Sequence, residues 1–140
     1  SLYEMYKDKG ITKVCGVESR GFIIGAALAY RLGAGFILIR KPGKLPYEKV
    51  RLEYKKEYGF DRIEMHKDSI TTDDTVLIHD DLLPTGGTLQ AACELVKTFK
   101  PKKVLVNCII ELTNFHAKEK FPQDCPVDSF ISIDEFDGVQ

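Results

Sequence analysis

Two adjacent carboxylates, Asp80 and Asp81, are followed by the turn Thr85-Gly86-Gly87-Thr88. Carboxylate oxygens accept hydrogen bonds from sugar hydroxyls, and they also hold hydrated Mg²⁺ through its water molecules. Glycines let a phosphate approach the backbone closely, where N–H groups and the two threonine hydroxyls are donors. These residue types at this spacing predict a site for a phosphorylated sugar such as ribose 5-phosphate.

The elements on either side of this string would position it. An apolar run ending at Ile78 predicts a strand buried on both faces, and the spacing from Leu89 to Phe99 predicts an amphipathic helix. The turn therefore lies at the positive end of a helix dipole. Strand alternation points Asp80 and Asp81 to opposite faces, so we do not expect a shared-proton pair. No lysine follows Gly87, which excludes a P-loop.

Two other strings also follow predicted strands. Ser19-Arg20-Gly21 offers N–H groups and a guanidinium to an anion, but it is equally a helix N-terminus capped by Ser19. A second string places three cations in one loop; these are Arg40, Lys41 and Lys44. Such a cluster is usually a solvated surface, but it could also compensate the charge of a bound anion. The residues alone do not decide between these two interpretations.

The pattern of the whole chain predicts an α/β fold with a mostly parallel central sheet flanked by helices. The predicted strands are Ile11–Val17, Phe36–Ile39, the strand before the acids, Lys103–Leu112 and Val127–Ile133. The predicted helices are Leu2–Lys9, Phe22–Leu32 and the helix after the glycine turn. A long loop from Arg40 to about Val50 leads into an antiparallel ribbon around Gly59. Because ligands bind beyond the carboxyl ends of parallel strands, the three strings should meet at one edge.

Composition bounds the remaining possibilities. A chain of 140 residues with 44% hydrophobic content supports one core and one domain, residues 1–140. The net charge of -1 gives no indication of a nucleic-acid surface, and no apolar run is long enough for a membrane span. The four cysteines show no C-x-x-C pairing, so reduced thiols and a cytoplasmic location are expected. They are Cys15, Cys93, Cys108 and Cys125.

Four strings in order resemble the motifs of type I phosphoribosyltransferases, most closely the adenine-specific branch of that family. The strings are Glu18-Ser19-Arg20-Gly21-Phe22, Ile39 to Pro46, Glu57-Tyr58-Gly59 and Val76 to Thr88. The resemblance implies the fold above with a flexible active-site loop and ribbon. It also implies purine salvage, in which a homodimer with Mg²⁺ converts adenine and 5-phosphoribosyl 1-pyrophosphate (PRPP) to AMP and pyrophosphate.

The resemblance also assigns roles to residues. The 5-phosphate would be held by Pro84, Thr85, Gly86, Gly87 and Thr88. Asp80 and Asp81 would address the ribose and metal-bound water, with no direct protein ligand to the metal. Pyrophosphate would contact Ser19, Arg20, Gly21, Arg40, Lys41 and Lys44. Glu57 would be the catalytic acid/base at the purine, with Tyr58 closing over the site and Glu53 as the fallback for the proton.

Some positions depart from the family pattern. His79 stands where an aliphatic residue is expected, and we interpret it as structural rather than catalytic; Pro84 replaces the usual alanine and has no N–H to donate. The chain begins at Ser1, so the N-terminal segment that covers the base in the family is expected to be absent. The alternatives are transfer to another purine, hypoxanthine or xanthine, and a non-catalytic PRPP-binding regulator.

Overall fold

The computed structural model describes residues 1–18, 20–41, 49–56, 59–83, 87–113 and 116–134. The helices are α1 (Leu2–Tyr6), α2 (Arg20–Leu32) and α3 (Gly87–Lys97), with a 3₁₀ turn at Ala117–Lys120. The strands are β1 (Lys13–Val17), β2 (Gly35–Ile39), β3 (Lys49–Lys56), β4 (Gly59–His66), β5 (Thr75–Leu83), β6 (Lys103–Leu112) and β7 (Val127–Ile133).

Five strands form a parallel sheet in the order β2-β1-β5-β6-β7. The register places Cys15 of β1 beside Ile78 of β5, and Ile78 beside Val106 of β6. β3 and β4 form a separate antiparallel ribbon. The predicted α/β class, the parallel sheet and the ribbon are therefore confirmed.

Helices cover both faces of this sheet, which is why β5 begins with consecutive apolar residues. Leu77 packs with Leu28 of α2 on one face, while Ile78 packs with Leu95 of α3 on the other. The ribbon contributes Met65 to the α3 side. Because a strand buried on both faces has no exposed side, its sequence does not alternate between polar and apolar residues.

Two glycines have the positive φ that the predicted helix ends require. Gly10 has φ +72° and Gly33 has φ +68°, a region where side chains with a Cβ are strained. α1 itself ends at Tyr6, before the predicted end at Lys9, and residues 7–10 form turns. The glycine therefore closes the turn region rather than the helix.

The predicted reduced state is wrong for one cysteine pair. Cys93 of α3 and Cys125, just before β7, are joined by a disulfide across 32 residues of sequence. The C-x-x-C criterion missed the pair because tertiary packing, not local spacing, brings α3 beside the segment before β7. Cys15 and Cys108 are free and buried, as expected of small apolar residues.

No helix in the described part of the chain is long and apolar enough to cross a membrane.

Candidate active site

The carboxyl ends of three neighbouring strands bring the predicted strings together. Val17 ends β1 beside Ile39 of β2, and Gly16 lies beside His79, the residue before the two acids. Chain reversal after β1 places Arg20 at the start of α2, where its Nε lies 3.3 Å from Oδ2 of Asp81. The convergence of these strings at one sheet edge is thus observed for the residues that the structure describes.

Glycines bring the start of α2 down onto the sheet. A Cβ on Gly21 would lie 2.7 Å from the carbonyl oxygen of His79, and one on Gly16 would lie 2.8 Å from the carbonyl oxygen of Gly21. A Cβ on Gly25 would lie 3.1 Å from the ring of Phe36. Gly21, predicted as a pyrophosphate contact, therefore also has a packing requirement that fixes Arg20 near Asp81.

The two acids interact with each other more closely than strand alternation predicts. The backbone N–H of Asp81 donates to Oδ1 of Asp80 at 2.8 Å, so the Asp80 side chain leans along the strand toward its neighbour. The pKa of Asp80 is raised to about 7, mainly because the carboxyl is buried and also because of the side chain and charge of Asp81; the Asp81 N–H and Arg20 act in the opposite direction. Strand alternation alone did not predict this contact between neighbouring acids.

Asp81 has one oxygen in the ion pair and one without a partner. Its Oδ1 atom is buried and accepts no hydrogen bond from any described residue. A buried carboxylate oxygen of this kind suits a sugar hydroxyl or a water molecule on Mg²⁺. Within the described ranges, no group of three His, Cys, Asp or Glu side chains surrounds a metal position. The unpartnered oxygen of Asp81 fits Mg²⁺ held through water and substrate, with Asp80 and Asp81 beside it.

His79 lies fully buried beneath the acids. Its Nδ1 atom is 2.8 Å from Oδ1 of Asn107 on β6, and burial lowers the pKa of the imidazole, which keeps it neutral. Asn107 in turn donates from Nδ2 to the carbonyl oxygen of Asp128 at 3.4 Å. These contacts support the structural interpretation of His79. Asn107 was not singled out from the sequence, although it is a polar residue inside an apolar strand run.

Arg40 follows β2 and is held by Glu18, which follows β1. The Nε atom of Arg40 lies 3.3 Å from Oε1 of Glu18, and the same oxygen accepts from the N–H of Lys41 at 2.8 Å. The Arg40 guanidinium also lies 5.6 Å from the ring centroid of Phe22. The sequence placed Glu18 in a family string without a role, and its position here is that of an acceptor that orients the cationic loop.

Only the end of the predicted phosphate turn is described. α3 begins at Gly87, followed by Thr88, so this end of the turn meets a helix N-terminus as predicted. No described atom lies within 4 Å of a Cβ placed on Gly87. Several predicted site residues fall outside the described residues; they are Ser19, Lys44, Glu57, Tyr58, Pro84, Thr85 and Gly86.

A sequence model described as the phosphoribosyl transferase domain matches residues 2–139. Among curated proteins, the chain is 61% identical over 132 residues to an adenine phosphoribosyltransferase of Bacteroides thetaiotaomicron, covering 94% of this chain and 75% of that protein. It is 63% identical over 127 residues to the enzyme of the same name from Bacteroides fragilis, covering 91% of this chain and 71% of that protein.

Solved structures agree with the sequence relatives. Adenine phosphoribosyltransferase from Rhodothermus marinus superposes with a TM-score of 0.89 at 45% identity, covering 94% of this chain and 75% of that one. The enzyme from Giardia lamblia, complexed with 9-deazaadenine, gives a TM-score of 0.88 at 41% identity with the same coverage. The sheet order and the strand-end site described above are thus set in a fold that these enzymes share.

Proposed function

Because the chain belongs to the phosphoribosyl transferase domain family, and within it to the adenine phosphoribosyltransferases, we propose that it transfers the 5-phosphoribosyl group of PRPP to adenine. The products are AMP and pyrophosphate, as in purine salvage. One observation carries the proposal: Asp80 and Asp81 lie near the carboxyl end of β5, a few residues before α3, and Arg20 forms an ion pair with Asp81. This edge offers acceptors for ribose hydroxyls beside donors for phosphate.

In the proposed mechanism, PRPP replaces contacts that the side chains of the site make with one another. Ribose hydroxyls donate to Asp80 and Asp81, and the Arg20 guanidinium moves from Asp81 toward pyrophosphate. Gly87 and Thr88 begin a helix whose positive end attracts the 5-phosphate. When bound with PRPP, Mg²⁺ neutralises part of the pyrophosphate charge.

The bond from the anomeric carbon to pyrophosphate then breaks, and its electron pair leaves with the pyrophosphate. A bond forms from the same carbon to N9 of adenine, and the base loses one proton. We assign the proton exchange at the purine to Glu57, with Tyr58 closing over the site. Further cations compensate the leaving group; they are Arg40, Lys41 and Lys44. The N–H groups of the Ser19-Arg20-Gly21 turn, and the remaining turn residues Pro84, Thr85 and Gly86, complete the anion contacts.

We further propose that the enzyme acts as a homodimer. Two large apolar side chains on the outer face of α2 support this: Ile23 is 80% exposed and Tyr30 is 88% exposed. Phe130 and Ile131 of β7 are also exposed. Exposed apolar side chains of this size are found at subunit interfaces when they form a shared patch.

A panel of bases tests the proposed reaction. The protein is incubated with PRPP and Mg²⁺ and with adenine, hypoxanthine, xanthine or orotate in turn, and nucleotide and pyrophosphate are quantified. We expect AMP and pyrophosphate in equal amounts from adenine, and at least hundredfold lower rates with the other bases. Faster turnover of hypoxanthine or xanthine would assign another purine. PRPP binding without turnover of any base would instead indicate a non-catalytic regulator.

A further inference from the structure

Glu64 of β4 carries a fully buried carboxylate that the proposed chemistry does not use. The Nε atom of Arg51 donates to its Oε2 atom at 2.9 Å, and Nζ of Lys49 lies 3.6 Å from Oε1. Arg51 is the residue directly opposite Glu64 in the ribbon, so this contact spans the two strands. A buried carboxylate is tolerated only with such partners, because loss of hydration is otherwise uncompensated.

The backbone of the same residue joins the ribbon to the end of the central sheet. The N–H of Arg40 donates to the carbonyl oxygen of Glu64 at 2.9 Å, and the N–H of Glu64 donates to that of Arg40 at 2.8 Å. Ile63 and Met65, on either side of Glu64, are buried in the core. Glu64 is therefore fixed on both sides while its main chain sets the position of Arg40.

These contacts continue to the strand-end site. The Arg40 side chain binds Glu18, which lies at the end of β1 just before the turn into α2. A continuous series of contacts thus runs from Arg51 through Glu64 and Arg40 to Glu18. It joins the ribbon to both strings that are proposed to hold pyrophosphate.

We propose that Glu64 is a positioning residue for phosphoribosyl transfer, whose carboxylate locks β3 onto β4 and thereby fixes Arg40 against Glu18. The inference rests on the proposed function, because its consequence is the placement of a cation beside the leaving pyrophosphate. Displacement of a catalytic group by about 1 Å costs on the order of a hundredfold in rate. The charge on pyrophosphate grows as the bond breaks, so the effect belongs in kcat.

The test compares Glu64→Gln with Glu94→Gln, a control that removes an exposed carboxylate from α3. We expect Glu64→Gln to lower kcat about tenfold, with KM for adenine within about twofold of wild type, and Glu94→Gln to change neither. Arg51→Gln should lower kcat in the same way. The double variant should be no slower than the slower single variant, because both changes break one contact.

Hydrogen exchange gives a readout that does not depend on turnover. In Glu64→Gln the amides of Arg40 and Glu64, which bond each other's carbonyls, should exchange faster than in wild type or Glu94→Gln. If no base is turned over by wild type, the proposed function fails while this measurement still tests the link. A folded Glu64→Gln with wild-type kcat and unchanged Arg40 exchange would overturn the inference. If Glu64→Gln does not fold, wild-type kcat in Arg51→Gln overturns it.

Discussion

The Nε atom of Arg20 lies 3.3 Å from Oδ2 of Asp81, which joins the first residue of α2 to the end of β5. These two residues are proposed to serve different parts of PRPP, the pyrophosphate and the ribose. In this ion pair the charges of the two side chains compensate each other at the edge of the sheet. In the proposed mechanism, this ion pair keeps the Arg20 guanidinium close to the pyrophosphate position until the substrate anion replaces the carboxylate.

Arg20→Gln should lower kcat/KM for PRPP by about tenfold to a hundredfold, because one pyrophosphate contact is lost. The unfolding free energy should change by less than about 1 kcal/mol, since the Arg20 side chain is 68% exposed. Steady-state kinetics and urea unfolding measure the two effects. Lys7→Gln is the control, because Lys7, just after α1, forms an exposed pair with Glu4 at 2.7 Å. An equal loss of activity in both variants contradicts the assignment.

Gly21→Ala should displace the start of α2, because the new Cβ would lie 2.7 Å from the His79 carbonyl oxygen. We expect a loss of about 1–3 kcal/mol in unfolding free energy. The rate of PRPP turnover should also fall, because Arg20 and the start of α2 are displaced from Asp81. The stability control is Gly87→Ala, where no described atom lies within 4 Å of the added methyl group. Thermal unfolding of both variants makes the comparison, and a Gly21→Ala protein as stable as wild type would show that the contact relaxes freely.

The ionised carboxylate of Asp80 should destabilise the folded protein at neutral and alkaline pH. Its folded pKa of about 7 lies above the usual 3.8, so the folded state binds a proton more tightly than the unfolded state. The protonated Asp80 carboxyl therefore stabilises the folded state. This stabilisation is fully present below about pH 4 and is lost as the pH rises through about 7.

Asp80→Asn should therefore be more stable than wild type at pH 8 by about 2 kcal/mol and nearly equal to it at pH 4. Urea unfolding without Mg²⁺ or PRPP measures the difference, with Asp73→Asn as the exposed-carboxylate control. A constant difference across this pH range would contradict the raised pKa.

The disulfide between Cys93 and Cys125 should leave two of the four cysteines titratable in unfolded, unreduced protein, and four after reduction. Cys125→Ser should lower the unfolding free energy by about 2–4 kcal/mol in oxidising buffer. Reduced wild type is the control and should lose a similar amount. Four titratable thiols before reduction would show that the pair is not bonded.

Local patterns predicted the parallel sheet and the place of the acids because the relevant information lies within each segment. The apolar run before Asp80 and the glycine turn after it each determine one element, and parallel order then brings strand ends together. The two glycines with positive φ, Gly10 and Gly33, were predictable for the same reason.

The contacts that sequence reasoning missed depend on register and packing between segments. Asn107 faces His79 only because β5 and β6 pair with that register. Glu64 lies beside Arg40 only because the ribbon folds back onto the end of β2. The Cys93–Cys125 pair likewise requires α3 to pack against the segment before β7. Residue spacing carries no information about these relationships.

Substituting both acids tests the central claim, that the end of β5 binds the ribose of PRPP, most directly. The kinetics of Asp80→Asn/Asp81→Asn are compared with those of wild type and of Asp73→Asn, using adenine, Mg²⁺ and varied PRPP. The account predicts that kcat/KM for PRPP falls at least a hundredfold in the double variant and is unchanged in Asp73→Asn. A folded double variant with wild-type kcat/KM for PRPP would contradict it.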